Sequence, residues 1–261
     1  MTPTQHRKAE DFRALHERDV FIIPNPWDAG SARVLEALGF KALATTSAGF
    51  AFTLGRPDGG ATLDEVCEHV RQLDRSTSLP ISVDLENGYG AEPEAAAAAI
   101  TRAAEAGAVG GSIEHYAPEI DAIYCLEHAA ARVAAAVEAA KEMSFPFMLT
   151  ARAENHLRGN PDLEDTIARL QAYEQAGADV LYAPRLSSSE EIRAVSEATS
   201  KPLNVLARPH LTTSEIAEAG GRRISLGGPL TWTAVDAMVQ AAEKMRDDGD
   251  FSALNLQAEW W

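Results

Sequence analysis

Cysteine is scarce: the 261-residue chain has two, Cys67 and Cys125, far apart in sequence. That excludes a disulfide framework, offers no zinc-ligand spacing, and fits a reducing compartment. Basic residues are outnumbered, 23 Lys and Arg against 39 Asp and Glu, for a net charge of −16. So acidic a chain repels nucleic acid and anionic membranes, and neither is an expected partner. A small anionic substrate remains admissible, because a metal and a few arginines reverse the field locally. No apolar run approaches the roughly 20 residues of a membrane span. The segment Met1 to Lys8 is polar and lacks the apolar core of a signal peptide, so the expected location is cytoplasmic. No proline-rich or serine-rich linker divides the chain, and 46% hydrophobic residues suffice for one full core.

What is there alternates. Short β-branched or apolar runs at 20–23, 42–46, 81–84, 111–114, 147–150, 179–182, 203–206 and 223–226 read as strands. Between them lie longer amphipathic, alanine-rich runs that read as helices. Asp28 is placed to cap the first, and Thr62-Leu-Asp-Glu65 has the capping-box pattern. Ala106-Gly107, Ala176-Gly177 and Ala219-Gly220 read as helix stops before strands. Eight strand–helix units in about 250 residues predict a single-domain (β/α)₈ TIM-type barrel over residues 1–245, followed by a tail at 246–261. Trp260 and Trp261 in that tail either pack on a neighbouring subunit or fray.

A barrel of this type carries its chemistry at the C-terminal ends of the strands. The stretch Asp84-Leu-Glu86-Asn87-Gly88-Tyr89-Gly90 stands at such an end. Residues i and i+2 of a strand share a face, so Asp84 and Glu86 are expected to converge. Two hard oxygen ligands suit Mg²⁺ or Mn²⁺; a solvated loop start is the alternative. Glu114 and His115 end the next strand, and Arg152, Glu154 and Asn155 the one after. Acids gathered on neighbouring strands repel one another unless a cation bridges them, which favours the metal reading. Other polar residues at strand ends are Asn25, Asp28, Thr46, Ser47, Gly49, Tyr182, Arg185, Asn204, Arg208 and Ser225.

The set Asn25-Pro-Trp-Asp-Ala-Gly-Ser31, Thr46-Ser-Ala-Gly49, Gly55-Arg-Pro-Asp58, Asp84-Leu-Glu-Asn-Gly-Tyr-Gly90, Ile113-Glu114 and Thr150-Ala-Arg152 resembles the isocitrate lyase/phosphoenolpyruvate mutase superfamily, in order and spacing, from about residue 8 to 245. The resemblance implies a Mg²⁺-dependent enzyme acting on 2-oxo or 2-hydroxy carboxylates through an enolate. It also implies homo-oligomers, commonly tetramers, often with the last helix exchanged between subunits. Matched residue by residue, Asp84 is the direct metal ligand, while Glu86 and Glu114 reach the metal through water. Arg152 holds the substrate carboxylate and stabilises the enolate. Ser47, Ala48 and Gly49 bind the carboxylate, and Asp58 is an acid on the mobile loop after the second strand. Asn204 joins the expected substrate-binding set.

The departures narrow the reaction. The lyases' Lys-Lys-Cys-Gly-His type loop is absent from His115-Tyr-Ala-Pro-Glu-Ile-Asp-Ala-Ile-Tyr-Cys125, and so is the phosphomutases' lysine- and asparagine-bearing gating loop. Glu86 replaces the usual aspartate, and His115 the usual acid after Ile-Glu. Cys125 reads as a small packing residue, and His156 and His210 as surface histidines. His115, Tyr182 and Tyr89 are the candidate proton donors, His115 with its charged form favoured by Glu114. Arg185 and Arg208 are candidates for a second substrate carboxylate. The expected activity is a Mg²⁺-dependent lyase or decarboxylase that cleaves a C–C bond of a di- or tricarboxylate. The alternatives are P–C chemistry of the carboxyphosphonoenolpyruvate mutase type, or a carboxylate-binding barrel without turnover.

Overall fold

The computed structural model describes residues 4–254. Its elements run α1 (Gln5–His16), β1 (Phe21–Ile23), α2 (Ala29–Ala37), β2 (Leu43–Ala44), α3 (Ser47–Thr53), α4 (Leu63–Ser76), β3 (Ile81–Asp84) and α5 (Pro93–Glu105). They continue with β4 (Gly110–Glu114), β5 (Tyr116–Ala117), β6 (Ala122–Ile123), α6 (Leu126–Lys141), β7 (Met148–Arg152), α7 (Leu163–Gln175) and β8 (Val180–Tyr182). The last five are α8 (Ser189–Ala198), β9 (Leu203–Leu206), α9 (Thr213–Glu218), β10 (Gly221–Ser225) and α10 (Pro229–Asp248).

Eight parallel strands lie in the order β1-β10-β9-β8-β7-β4-β3-β2. Across the seam between β1 and β2, the Ala44 N–H donates to the Pro24 carbonyl at 3.0 Å, so the sheet curls into a nearly closed barrel. This is the expected (β/α)₈ architecture, with β5 and β6 as a small antiparallel hairpin inserted after β4. Local chemistry sets the helix ends. Asp28, Thr62 and Thr212 make reciprocal capping boxes at the starts of α2, α4 and α9. Gly107, Gly177 and Gly220 follow the ends of α5, α7 and α9 at positive φ, as the Ala-Gly pattern predicts.

Two helices were not expected. Helix α1 turns its buried side, Lys8, Ala9, Phe12 and His16, against the barrel. Phe12 packs with Ile23, Ala42, Val109, Met148 and Val180 at the N-terminal mouth. The packing is close enough that a Cβ on Gly110 would lie 2.8 Å from the Phe12 ring. Helix α3 occupies what reads as loop after β2. Helix α10 contrasts with the others: of its 20 residues only Thr231 is buried, while Trp232, Met238 and Val239 are exposed. It runs slightly past the expected end and is closed by Gly249 in the left-handed conformation. Trp260 and Trp261 lie outside the described residues. Among the described residues no helix is long and apolar enough to cross a membrane.

Candidate active site

The expected residues gather at the C-terminal mouth, in two adjoining chambers. The inner one, about 170 Å³, is lined by Asn25, Thr46, Ser47, Ala48, Asp58, Asp84, Arg152, Tyr182, Asn204, Arg223 and Ser225, among others. The outer one, about 330 Å³, is lined by Ser47, Asp58, Glu86, Asn87, Glu114, Tyr116, Arg152 and Arg158, among others. Ser47, Asp58 and Arg152 belong to both.

Arg152, the last residue of β7, stands at the junction. Its Nη1 donates to Asp84 Oδ1 at 2.8 Å, and its Nη2 lies 2.9 Å from both Glu114 Oε2 and Glu154 Oε1. Arg158 adds contacts to Glu114 at 3.3 Å and Glu154 at 3.5 Å, and its guanidinium sits 3.4 Å above the Tyr116 ring. Arg158 was not expected. Its only trace in the sequence is the i, i+4 spacing from Glu154.

The acids reach the site by a route the strand rule did not foresee. Strand β3 ends at Asp84, and Glu86 lies beyond it in a left-handed turn at φ 49°. The turn brings the Glu86 N–H to 3.2 Å from Asp84 Oδ1, so the backbone ties the two residues together. Tyr89, at φ 61°, donates its hydroxyl to Glu86 Oε1 at 3.3 Å. Arg132 of α6, fully buried, donates to the carbonyls of Asn87, Gly90, Ala91 and Glu92 and braces this loop.

Five carboxylates (Asp58, Asp84, Glu86, Glu114, Glu154) thus face two guanidiniums, Arg152 and Arg158. The surplus negative charge shows in the titration of the acids. Burial, then Asp84 and Asp58, push Glu86 up to about 7. Burial pushes Glu114 up to about 8, with Glu154 and Asp84 acting the same way against Arg152. A divalent cation would relieve this crowding. Asp84 suits a direct ligand: among the described residues the hydrogen bonds to its carboxylate all fall on Oδ1, from Glu86, Ser112 and Arg152. The acids do not converge on one point. Among the described residues no group of three or more His, Cys, Asp or Glu closes into a metal cluster. The Arg152 fork separates Asp84 from Glu114. This donor set fits one direct carboxylate with the others acting through water.

Several expectations are corrected. His115 follows Glu114 directly, and successive strand residues point to opposite faces. Glu114 faces the outer chamber, but the His115 ring packs behind β7. Its Nδ1 lies 3.1 Å from the Arg152 carbonyl and 3.0 Å from the Tyr173 hydroxyl, and it lines neither chamber. Burial and the Arg169 charge push it down to about 4, so it is neutral and cannot be the charged donor expected from its neighbour Glu114. Ser47 and Ala48 do line the inner chamber, but Gly49 does not. Its N–H is taken by Thr46 Oγ1 at the cap of α3, and an added Cβ would sit 2.7 Å from Thr231 Oγ1, so Gly49 serves close packing. Asn204 is 1% exposed and committed to protein partners, donating to Ser225 and accepting from Arg223. Arg185 is exposed at φ 70°, and neither it nor Arg208 lines a chamber. Cys125 is exposed rather than packed. His156 is buried, and His210 is exposed as expected.

The pH dependence of stability has a definite sign. In the metal-free protein Glu86 and Glu114 bind protons near 7 and 8, above their ordinary 4.5, so stability should rise as pH falls from about 8 to 6.5. Below 6.5 the unfolded chain protonates three histidines that burial keeps neutral when folded, His16 down to about 3 and His69 and His115 to about 4. The histidine protons exceed the carboxyl protons by one, so stability should then fall by about 1.4 kcal/mol per pH unit towards pH 4.5. Urea denaturation from pH 8 to 4.5 should therefore show a maximum near 6.5. A stability that climbs steadily to pH 8 would refute this balance.

Three comparisons bear on the site. The family model described as phosphoenolpyruvate phosphomutase matches residues 12–246. A solved structure of a candidate lyase/mutase from Burkholderia cenocepacia superimposes with a TM-score of 0.94 at 50% identity, covering 98% of this chain and 93% of that one. A probable 2-methylisocitrate lyase of Corynebacterium glutamicum is 28% identical (100% of this chain, 85% of the relative), and an oxaloacetate decarboxylase of Bradyrhizobium diazoefficiens is 29% identical (91% and 87%).

Proposed function

The chain belongs to the phosphoenolpyruvate phosphomutase family, as an enzyme of the isocitrate lyase/phosphoenolpyruvate mutase superfamily, and we propose that it cleaves a C–C bond of a small 2-oxo or 2-hydroxy carboxylate with the help of Mg²⁺. The observation that carries this reading is the Arg152 fork at the junction of an acid-rich chamber and a small inner chamber. Asp84 would hold Mg²⁺ (or Mn²⁺) directly, with Glu86 and Glu114 behind it through water. A cation bound there supplies Lewis-acid stabilisation of a developing enolate. Burial works against the charge on Arg152, but Glu154, Glu114 and Asp84 outweigh it and keep the guanidinium protonated, so it adds a charge-assisted donor on the same side. Ser47 and the Ala48 backbone bind the substrate carboxylate, and Asp58 closes on it from the loop after α3.

With His115 turned away, and Tyr89 bonded to Glu86 and lining neither chamber, Tyr182 is the proton donor. It lines the inner chamber beside Arg152, whose guanidinium is 5.4 Å from its ring, and burial pushes its hydroxyl up to about 12, so it keeps its proton at neutral pH. The relatives named for 2-methylisocitrate and oxaloacetate support the carbon-acid reading. The missing gating loop supports the same choice. Incubation with oxaloacetate, 2-methylisocitrate and phosphonopyruvate, with and without Mg²⁺, separates the readings. Pyruvate released from a carbon acid only with Mg²⁺ is the expected result. Phosphate or a rearranged phosphonate would favour P–C chemistry, and oxalate binding without any turnover a non-catalytic barrel.

The oligomer belongs to the same proposal. A 20-residue helix that buries one residue on its own barrel, with Trp232, Met238 and Val239 exposed, is completed by a second copy of the chain. Light scattering should give a dimer or tetramer, and Met238→Asp with Val239→Asp should shift it towards monomer. A monomeric wild type would refute the exchange of α10.

A further inference from the structure

Arg223 is the most unusual charge in the molecule. It lies on β10 two residues before Ser225, so it shares Ser225's inward face, while the adjacent Arg222 is exposed. Arg223 is buried inside the barrel and is one of the residues lining the inner chamber. Each of its nitrogens has a neutral partner: Nε donates to Asn204 Oδ1 at 2.7 Å, Nη2 to Thr150 Oγ1 at 2.9 Å, and Nη1 lies 3.4 Å from His16 Nε2. His16 Nδ1 lies 2.9 Å from the Phe12 carbonyl within α1, so His16 fits the neutral tautomer that accepts from Arg223. Among the described residues no carboxylate pairs with Arg223. Burial lowers its proton affinity to about 10, with Tyr182 alone acting the other way, so it remains a cation at neutral pH.

Arg152 is outnumbered by the acids around it and offers a fork but little net positive field. Arg223 has its hydrogen bonds satisfied and its charge uncancelled. A desolvated charge facing only neutral partners is costly unless something anionic completes the site. The chain Arg223–Asn204–Ser225 runs from that charge to the wall of the same chamber.

We infer that Arg223 is a positioning and specificity residue: its unpaired charge at the floor of the inner chamber attracts and orients a small carboxylate substrate, at a distance from the acid cluster. The inference rests on the proposed function and assigns its anion selectivity to a residue outside the acid–arginine cluster. His16, which contacts Arg223 but does not itself line the chamber, offers the test. His16→Glu would set a carboxylate against Nη1 and cancel the charge with the guanidinium in place, and His16→Gln is its neutral control.

Oxalate is the probe, titrated calorimetrically into the oligomer at saturating Mg²⁺, with Mg²⁺ affinity measured separately. Arg223→Met and His16→Glu should each weaken oxalate binding roughly tenfold or more, as loss of a buried charge interaction does. His16→Gln and Arg223→Lys should stay within about threefold of wild type, and Mg²⁺ affinity should be unchanged in all four. Should Arg223→Met fail to fold, the two His16 variants decide the question. Equal oxalate affinity in His16→Glu and His16→Gln would overturn the inference, since a purely packing role for Arg223 predicts that equality. Failure of wild type to bind oxalate with Mg²⁺ would instead overturn the proposed function.

Discussion

Arg152→Met should be the most damaging single substitution in the chain, for stability and for activity together. Methionine keeps the apolar stem of the side chain but leaves Asp84, Glu114 and Glu154 without their shared counter-ion, at side-chain exposures of 16%, 6% and 0%. Removing one partner of a buried ion pair costs about 3–5 kcal/mol, because the charge left behind is unpaired. Part of that loss is avoided as the acids protonate, since burial already holds Glu114 near 8. The activity loss should exceed roughly 10³-fold, the upper range for one oxyanion donor, because a charge is lost with the donor. Glu154→Gln added to Arg152→Met should restore part of the stability and none of the activity. Urea denaturation and steady-state kinetics read the two effects. A variant that keeps wild-type stability would show that the fork does not hold the acids in place.

Asp84→Asn should have the opposite profile. The substitution preserves shape and removes one negative charge from a site with a surplus, so stability should be unchanged or slightly higher. Mg²⁺ affinity should nevertheless fall by well over about 100-fold. Glu86→Gln and Glu114→Gln, acting through water, should each cost about 10–100-fold, the range for outer-shell partners of a metal. The ranking is what discriminates. Equal losses at all three positions would mean that the acids share the cation directly, against the separation of Asp84 from Glu114 by Arg152.

Much of this site is legible in the sequence, sometimes for the wrong reason. Strand–helix alternation, capping boxes and Ala-Gly stops predict the barrel, and the barrel predicts which ends of the strands carry chemistry. Asp84 and Glu86 are tied together by the Glu86 N–H on Asp84 Oδ1 in a left-handed turn after β3 ends, rather than by convergence of their carboxylates as the i, i+2 rule for strands predicts. Adjacency of His115 and Glu114 in sequence suggests adjacency of charge, whereas alternation at the strand's end sends the two side chains to opposite faces. The same alternation applied to Arg222-Arg223-Ile-Ser225 places Arg223 beside Ser225 inside the barrel. Helix α3 was not legible: Ser47–Thr53 is seven residues with an internal glycine and no sustained period. Arg158 and α1 depend on tertiary partners, Glu114 and the barrel floor, that no local pattern reveals.

The central claim is that Asp84 holds a divalent cation facing Arg152, and that the two together receive a small dianion. Calorimetric titration of oxalate into wild type and Asp84→Asn, each with and without Mg²⁺, tests it most directly. Saturable binding is expected in wild type with Mg²⁺ only. Oxalate binding that persists without Mg²⁺, or Mg²⁺-supported binding that survives in Asp84→Asn, would contradict it.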